Sequence, residues 1–197
     1  MRRTLLLIFP CVLLVIAAVL FASQTTAVQK LDFPKPNYYA DKDDPEWLTK
    51  ATHFHGHLGP AIIFGCRVGM TALDVLEAKG YFDVEVTAQG PFASPPKSCV
   101  IDGLQLSTGA TLGKRNLHVI VEEEYVITVK NRRTGVSVEI RPTPELIELM
   151  WSRLEPNHDD DDDADDDHDV EMRRVEAVAR KIANMPLEKI MTIKRKP

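Results

Sequence analysis

Three of the chain's six histidines fall within five residues, in His53-Phe54-His55-Gly56-His57, just ahead of Leu58-Gly59-Pro60 and an apolar helical pattern. Imidazole is the commonest metal ligand and the side chain that titrates nearest neutral pH, so chemistry is expected here first. In an extended segment residues two apart share a face, and all three rings would then address one cation or one substrate. Pro60 suits the first position of a helix, which would set the rings beside free backbone N–H groups that favour anions, including a thiolate or a metal-bound hydroxide. A surface histidine cluster, or a turn packed on the core, would use the same residues without chemistry.

The second reactive residue is Cys99. Ser98-Cys99-Val100-Ile101-Asp102 follows a Pro-rich loop, Gly90 to Lys97, and reads as a helix over 98–108 capped by Ser98. A thiol in a first helical turn is shifted toward the thiolate that binds metal or attacks, although helix-start cysteines also serve as half-buried packing residues. The chain has three cysteines. Cys11 lies in an apolar leader, so Cys66 and Cys99 either form one disulfide or divide into a packing residue and a ligand or reactive thiol. No CxxC pair or Cys-rich knuckle occurs. The loop Thr108-Gly109-Ala110-Thr111-Leu112-Gly113-Lys114-Arg115-Asn116 has glycines and a lysine, but its spacing is not that of a P-loop.

These side chains need a scaffold. Asp44-Pro45 opens a short helix to Lys50, and Pro60 to Lys79 reads as a longer one ended by Gly80, with Ala61, Gly65, Gly69 and Ala72 as a stripe on which a neighbour, such as a sheet, packs closely. Asp83 to Ala88 alternates as a strand with one wet face. Leu117–Val121, Tyr125–Lys130 and Val136–Ile140 read as an antiparallel meander, the last two strands joined by the hairpin Asn131-Arg132-Arg133-Thr134-Gly135, and Pro142 to Leu154 as a helix. The expected fold class is α+β, with helices packed on one side of an antiparallel sheet.

Charge and hydropathy divide the rest. Arg2-Arg3 precedes a nearly continuous apolar run from Leu5 to Ala22, and small residues follow, so residues 1–27 are expected to be a signal peptide or an N-terminal membrane anchor. The remainder would then lie outside the cytoplasm, secreted or held at the membrane by that segment. Residues 28–156 form the expected core domain. Residues 157–170 are an Asp-rich low-complexity linker with nine aspartates between 159 and 169. Its bland role is a solvated spacer; its sharper one is a loose secondary cation site through His158, Asp161 and His168. Residues 171–197 carry eight basic and three acidic side chains and read as a basic helix, with Val175, Val178, Ala179 and Ile182 on one face, and a tail. The near-balanced charge of the core argues against nucleic-acid binding.

Two ordered motifs carry a family likeness. His55-Gly56-His57-Leu58-x-Pro60 before a helix, and Cys99-x-x-Asp102-x-x-Gln105-x-x-Thr108-Gly109-x-Thr111-x-Gly113-Lys114-x-Asn116 after it, resemble the core domain of the formylmethanofuran dehydrogenase E-subunit family, from about His53 to Ile140. Asn131-Arg132-x-Thr134-Gly135 fits the same pattern. The resemblance implies an α+β domain with a His/Cys groove that binds a transition metal, zinc above others, and a homodimeric state. The family name reflects an operon neighbourhood and implies no activity by itself. This chain departs from the pattern at Gly59 and Ala110, where members usually carry cysteines, and at Arg115, where a glycine is usual. The cysteine-bearing zinc module of many members is replaced by the Asp-rich tail.

His55, His57 and Cys99 are thus the expected metal ligands, with His53 and Asp102 as extras. The leading function is metal handling or service as a metalloenzyme accessory. The alternative is a metal-dependent hydrolase-like enzyme in which Lys114, Asn116 and Thr108, or Arg67, hold a small anionic substrate. A degenerate scaffold without metal is the third reading.

Overall fold

The computed structural model describes residues 32–151 and 164–197. Helix α1 spans Glu46–His55, α2 Pro60–Val75, α3 Cys99–Thr108, α4 Pro144–Trp151, α5 Ala164–Asn184 and α6 Leu187–Ile190. A single 3-10 turn over Tyr81–Asp83 leads into β1. The strands are β1 Val84–Gly90, β2 Leu117–Val121, β3 Val126–Asn131, β4 Ser137–Pro142 and β5 Met191–Lys196. They form one sheet in the order β2-β1-β3-β4-β5, antiparallel throughout except for the parallel pair β1 and β2. The fold is α+β.

The period-two pattern explains the sheet. Val84, Val86 and Ala88 of β1, Ile127 and Val129 of β3, and Val138 and Ile140 of β4 are buried, while the residues between them are more exposed. The β3–β4 hairpin is set by Asn131. Its Oδ1 accepts from the N–H groups of Arg133 and Thr134, and its Nδ2 donates to the Leu76 carbonyl just beyond α2. One side chain thus shapes the turn and ties it to a helix.

Four expectations need correction. The strand Leu117–Val121 is not part of a meander: it pairs in parallel with β1, in the register Val86 to Leu117, and β1 lies between it and β3. The α3 segment crosses from β1 to β2, which is what a parallel neighbour requires. Helix α2 ends at Val75, before Gly80, with Glu77 in the left-handed region at φ 48. Ser98 precedes α3 but makes no capping hydrogen bond, its own backbone being helical. The basic tail ends in a fifth strand, Met191 to Lys196, which pairs with β4.

The small-residue stripe on α2 meets a helix, not the sheet. A Cβ at Gly65 would lie 2.1 Å from the Val100 carbonyl oxygen, and one at Gly103 would lie 2.1 Å from that of Ile62. The two helix backbones touch, and Ile62, Val68, Val100 and Leu104 are buried around the contact.

Helix α5 is fastened at two places. Arg67 of α2 donates to the carbonyls of Ile182, Ala183 and Met185 at 3.0, 2.5 and 2.9 Å, closing the C-terminus of α5. Arg180 pairs with Asp44 at 2.8 Å and Glu176 at 3.0 Å and donates to the Tyr39 carbonyl, which clamps the segment before α1 onto α5. Tyr38 donates its hydroxyl to Asp44, and the Tyr39 N–H donates to the buried Glu176 carboxylate. Val178, Ala179 and Ile182 then complete the core from this helix.

Two measurements test this packing. Gly65→Ala or Gly103→Ala forces a methyl into a carbonyl and should cost about 2–3 kcal/mol, read as a fall in the thermal or urea midpoint. An unchanged midpoint would refute the backbone contact. Burial alone would raise the Asp44 carboxyl, but the Arg180, Tyr38 and Asp41 hydrogen bonds outweigh it and hold the pKa down to about 2. The ion pair therefore stabilises fully above pH 3.8 and loses its contribution as pH falls toward 2. Asp44→Asn should remove about 2 kcal/mol at neutral pH and flatten the acid limb of the stability profile.

Candidate functional site

The histidine segment is helical, not extended. Helix α1 runs through His53 and His55 and stops at Gly56, whose φ of 99° lets the chain reverse direction. His57 follows in a short parallel bridge to Asn37, with the Asn37 N–H donating to the Gly56 carbonyl at 2.7 Å. Two adjacent helical positions and a reversal therefore separate the rings. His53 points to solvent, while His55 and His57 come together with ring centroids 4.6 Å apart. The face-sharing expectation holds for two of the three.

Helix α3 brings the other groups to the same place. His55 Nδ1 and Asp102 Oδ2 are 2.7 Å apart, and the Gln105 amide donates to the other Asp102 oxygen at 3.5 Å. Cys99, half-buried at the start of α3 and not in a disulfide, interacts with the same imidazole. Asp102 is the largest cause that raises the His55 pKa, to about 9; Cys99 adds to it, and partial burial opposes it. Burial pushes the His57 pKa down, and the neighbouring His55 charge pushes it further. One ring is held as a cation and the other as a neutral base.

The other ring nitrogen, His55 Nε2, is buried and has no hydrogen-bond partner, in a side chain that is 9% exposed. A buried polar atom without a partner is costly, and Asp102 fixes the ring so that this atom faces inward. Pro60, the first residue of α2, and Gly59 complete the local turn, and a Cβ at Gly59 would lie 3.1 Å from His57 Nε2. Among the described residues no three His, Cys, Asp or Glu side chains already stand together as a metal cage.

The residues expected to hold a substrate do other work. Thr108 is buried, donates to the Leu104 carbonyl and accepts from the Ala110 N–H. Asn116 is buried, donates to the carbonyls of Tyr81 and Val84 and accepts from the Thr111 N–H. Both give the 109–116 loop its shape and offer no free group to a ligand. Arg67 is spent on the end of α5. Lys114 is half-buried, bonds the Thr111 hydroxyl at 3.4 Å and lies 5.9 Å above the Phe82 ring. Cys66 is a core residue whose thiol burial pushes up to about 12. The acidic site expected around His158, Asp161 and His168 lies outside the residues whose side chains are described. Sequence reasoning passed over Gln105 as a support for Asp102, although the i, i+3 spacing on one helix carried that signal.

An α+β domain whose helix-borne Asp, Cys and two His side chains meet at a chain reversal is the class that fold and site define. The family described as "FmdE, Molybdenum formylmethanofuran dehydrogenase operon" matches residues 54–192. A protein of Archaeoglobus fulgidus described as a probable S-adenosyl-L-methionine-binding protein is 26% identical over 106 residues, which are 54% of this chain and 29% of that protein. The chain thus spans less than a third of that relative. A crystal structure of an FmdE-like protein of tungsten formylmethanofuran dehydrogenase, from Syntrophus aciditrophicus, covers 77% of this chain and 70% of its own, with 19% identity and a TM-score of 0.49. The chain belongs to the FmdE family.

The Asp102 contact is directly testable. In metal-free protein the His55 imidazole should titrate near 9, far above the ordinary 6.5, when followed by NMR of the ring protons. The ion pair stabilises the fold below pH 6.5 and loses that contribution as pH rises through about 9. Asp102→Asn should bring the titration back toward the ordinary value, and an unmoved curve would refute the assignment.

Proposed function

We propose that this protein is an extracytoplasmic metal-binding protein, in which His55, His57 and Cys99 bind a divalent transition metal, zinc before others. The reading rests chiefly on His55 Nε2, a buried nitrogen without a partner on a ring fixed by a carboxylate. A carboxylate on one ring nitrogen with the other left free is how proteins commonly prepare a histidine for metal. His57 adds a neutral imidazole and Cys99 a thiol, a donor set suited to zinc. The family membership supports the same reading. The donors must draw together on binding, and His55 must release the proton that Asp102 favours.

A bound metal would supply Lewis-acid polarisation of a water or of a small ligand. The chain's own residues do the rest: Asp102 orients His55 and accepts from its Nδ1, Gln105 holds Asp102, and the Gly56 reversal sets His57 beside His55. Metal handling or service to a metalloenzyme fits this set better than hydrolysis, since Arg67, Thr108 and Asn116 are committed elsewhere. Export rests on Arg2-Arg3 and the apolar run Leu5 to Ala22, which lie outside the described residues. Among the described residues no helix is long and apolar enough to cross a membrane.

Elemental analysis of the full chain, expressed in zinc-replete medium and dialysed against a weak chelator to strip the aspartates, should find about one equivalent of metal. His57→Ala with Cys99→Ala should lose it. Equal metal content in both proteins would overturn the proposal. Gly59→Cys should place a thiol against His57 and slow metal loss to chelator about tenfold or more.

A further inference from the structure

The two edges of the sheet are built differently. β5 carries Lys194, Arg195 and Lys196, the charged residues that keep an edge from pairing with another chain. β2 carries none: its sequence is Leu117-His118-Val119-Ile120-Val121, and Val119, Ile120 and Val121 are 38%, 43% and 58% exposed. Among the described residues no strand lies on its outer side. Val119 pairs with the buried Ala88 of β1, so it and Val121 continue the apolar face of the sheet beyond the helices.

Backbone direction can be read from two hydrogen bonds. The Asn116 carbonyl accepts from Val86 and the Glu122 N–H donates to Gly90, so the even-numbered residues of this strand face β1. Successive residues alternate, and Leu117, Val119 and Val121 therefore turn their N–H and C=O groups outward.

The flanks have opposite charge. Lys114 and Arg115 precede the strand, and Glu122 and Glu123 follow it. None of these four has an ion-pair partner among the described residues, whereas the next residue, Glu124, is held by Arg141. A strand with a basic start, an apolar centre and an acidic end is complementary to itself when reversed.

We infer that β2 is a pairing edge for a second copy of this chain, antiparallel about a two-fold axis at Val119. Val119 then pairs with its own counterpart, and Leu117 with Val121 on either side. All three outward-facing residues find partners, and the turn holding Lys114 and Arg115 of one copy lies beside Glu122 and Glu123 of the other. A shift of two residues either way leaves one outward residue unpaired and moves the charges out of step. The result is one sheet continuous across both copies, with Val119 and Val121 covered. Nothing in it depends on the metal site.

Sedimentation of the full chain in mild detergent, which disperses its apolar N-terminal residues, should show a dimer. Lys114→Glu with Arg115→Glu should sediment as a monomer, and so should Glu122→Lys with Glu123→Lys. Mixing these two variants should form a one-to-one heterodimer, and all four reversals in one chain should restore the homodimer. Val119→Pro removes an outward N–H that no strand of the same chain uses, and it should abolish association with the melting profile retained. A monomeric native chain would overturn the inference. So would a dimer indifferent to the reversals, which would place association elsewhere, including the apolar N-terminal residues.

Discussion

The contact between the backbones of α2 and α3 is the constraint on which the rest depends. Gly65 and Gly103 leave each helix without a side chain where the other passes, and a methyl on either would penetrate a carbonyl. Helices that pack through larger residues stand 8–10 Å apart, and closer approach carries the attached groups with it. Here α3 is drawn in so that its first turn reaches the C-terminal end of α1. Asp102 can bond His55 at 2.7 Å because Gly103, its neighbour, is pressed against Ile62. The glycines that look like packing residues therefore set the distance at which the reactive groups meet.

That geometry fixes an unequal pair of imidazoles. Two like charges about 4 Å apart near a protein surface repel by roughly 4 kcal/mol, so rings with centroids 4.6 Å apart do not both take a proton readily. Asp102 decides which one does. Its carboxylate favours the cation on His55, and burial beside that cation keeps His57 neutral. A dication arriving at this place would exchange with the His55 proton, and its affinity would rise with pH for that reason.

Some of this was legible in the sequence and some was not. The period-two runs gave β1, β3 and β4 within a few residues, because each buries one face. Pro60 marked the start of α2, and Asn131 with Gly135 marked the hairpin, through local backbone rules. The place of β2 was not local: its alternation fits either neighbour, and only the α3 crossover makes it a parallel partner of β1. Likewise the small-residue stripe announced a close neighbour without saying that Gly103, 38 positions after Gly65, was the match. At the site, residue types pointed to His55, His57 and Cys99, and Asp102 was named as an extra. The error lay in conformation, since alternate histidines suit an extended strand as well as a helix that stops at glycine. Thr108 and Asn116 misled because buried polar residues that shape a loop resemble, in sequence, polar residues that face a ligand.

Gly59 and Ala110, where members of the family usually carry thiols, determine what kind of site the proposed one can be. Ala110 is fully buried, so the core has closed over that position, and a larger side chain there would need the loop to shift. Gly59 is different: its backbone is extended, at φ −121, and the space beside it opens onto His57 Nε2 at 3.1 Å. One donor position has been filled by packing and the other left open. A set of two imidazoles and one thiolate with room for a further ligand favours exchange over permanent retention, as three-ligand zinc sites do compared with closed four-ligand ones. On the proposed reading, the chain has traded the grip of a structural site for access, and the side on which that access opens is the one left clear by Gly59.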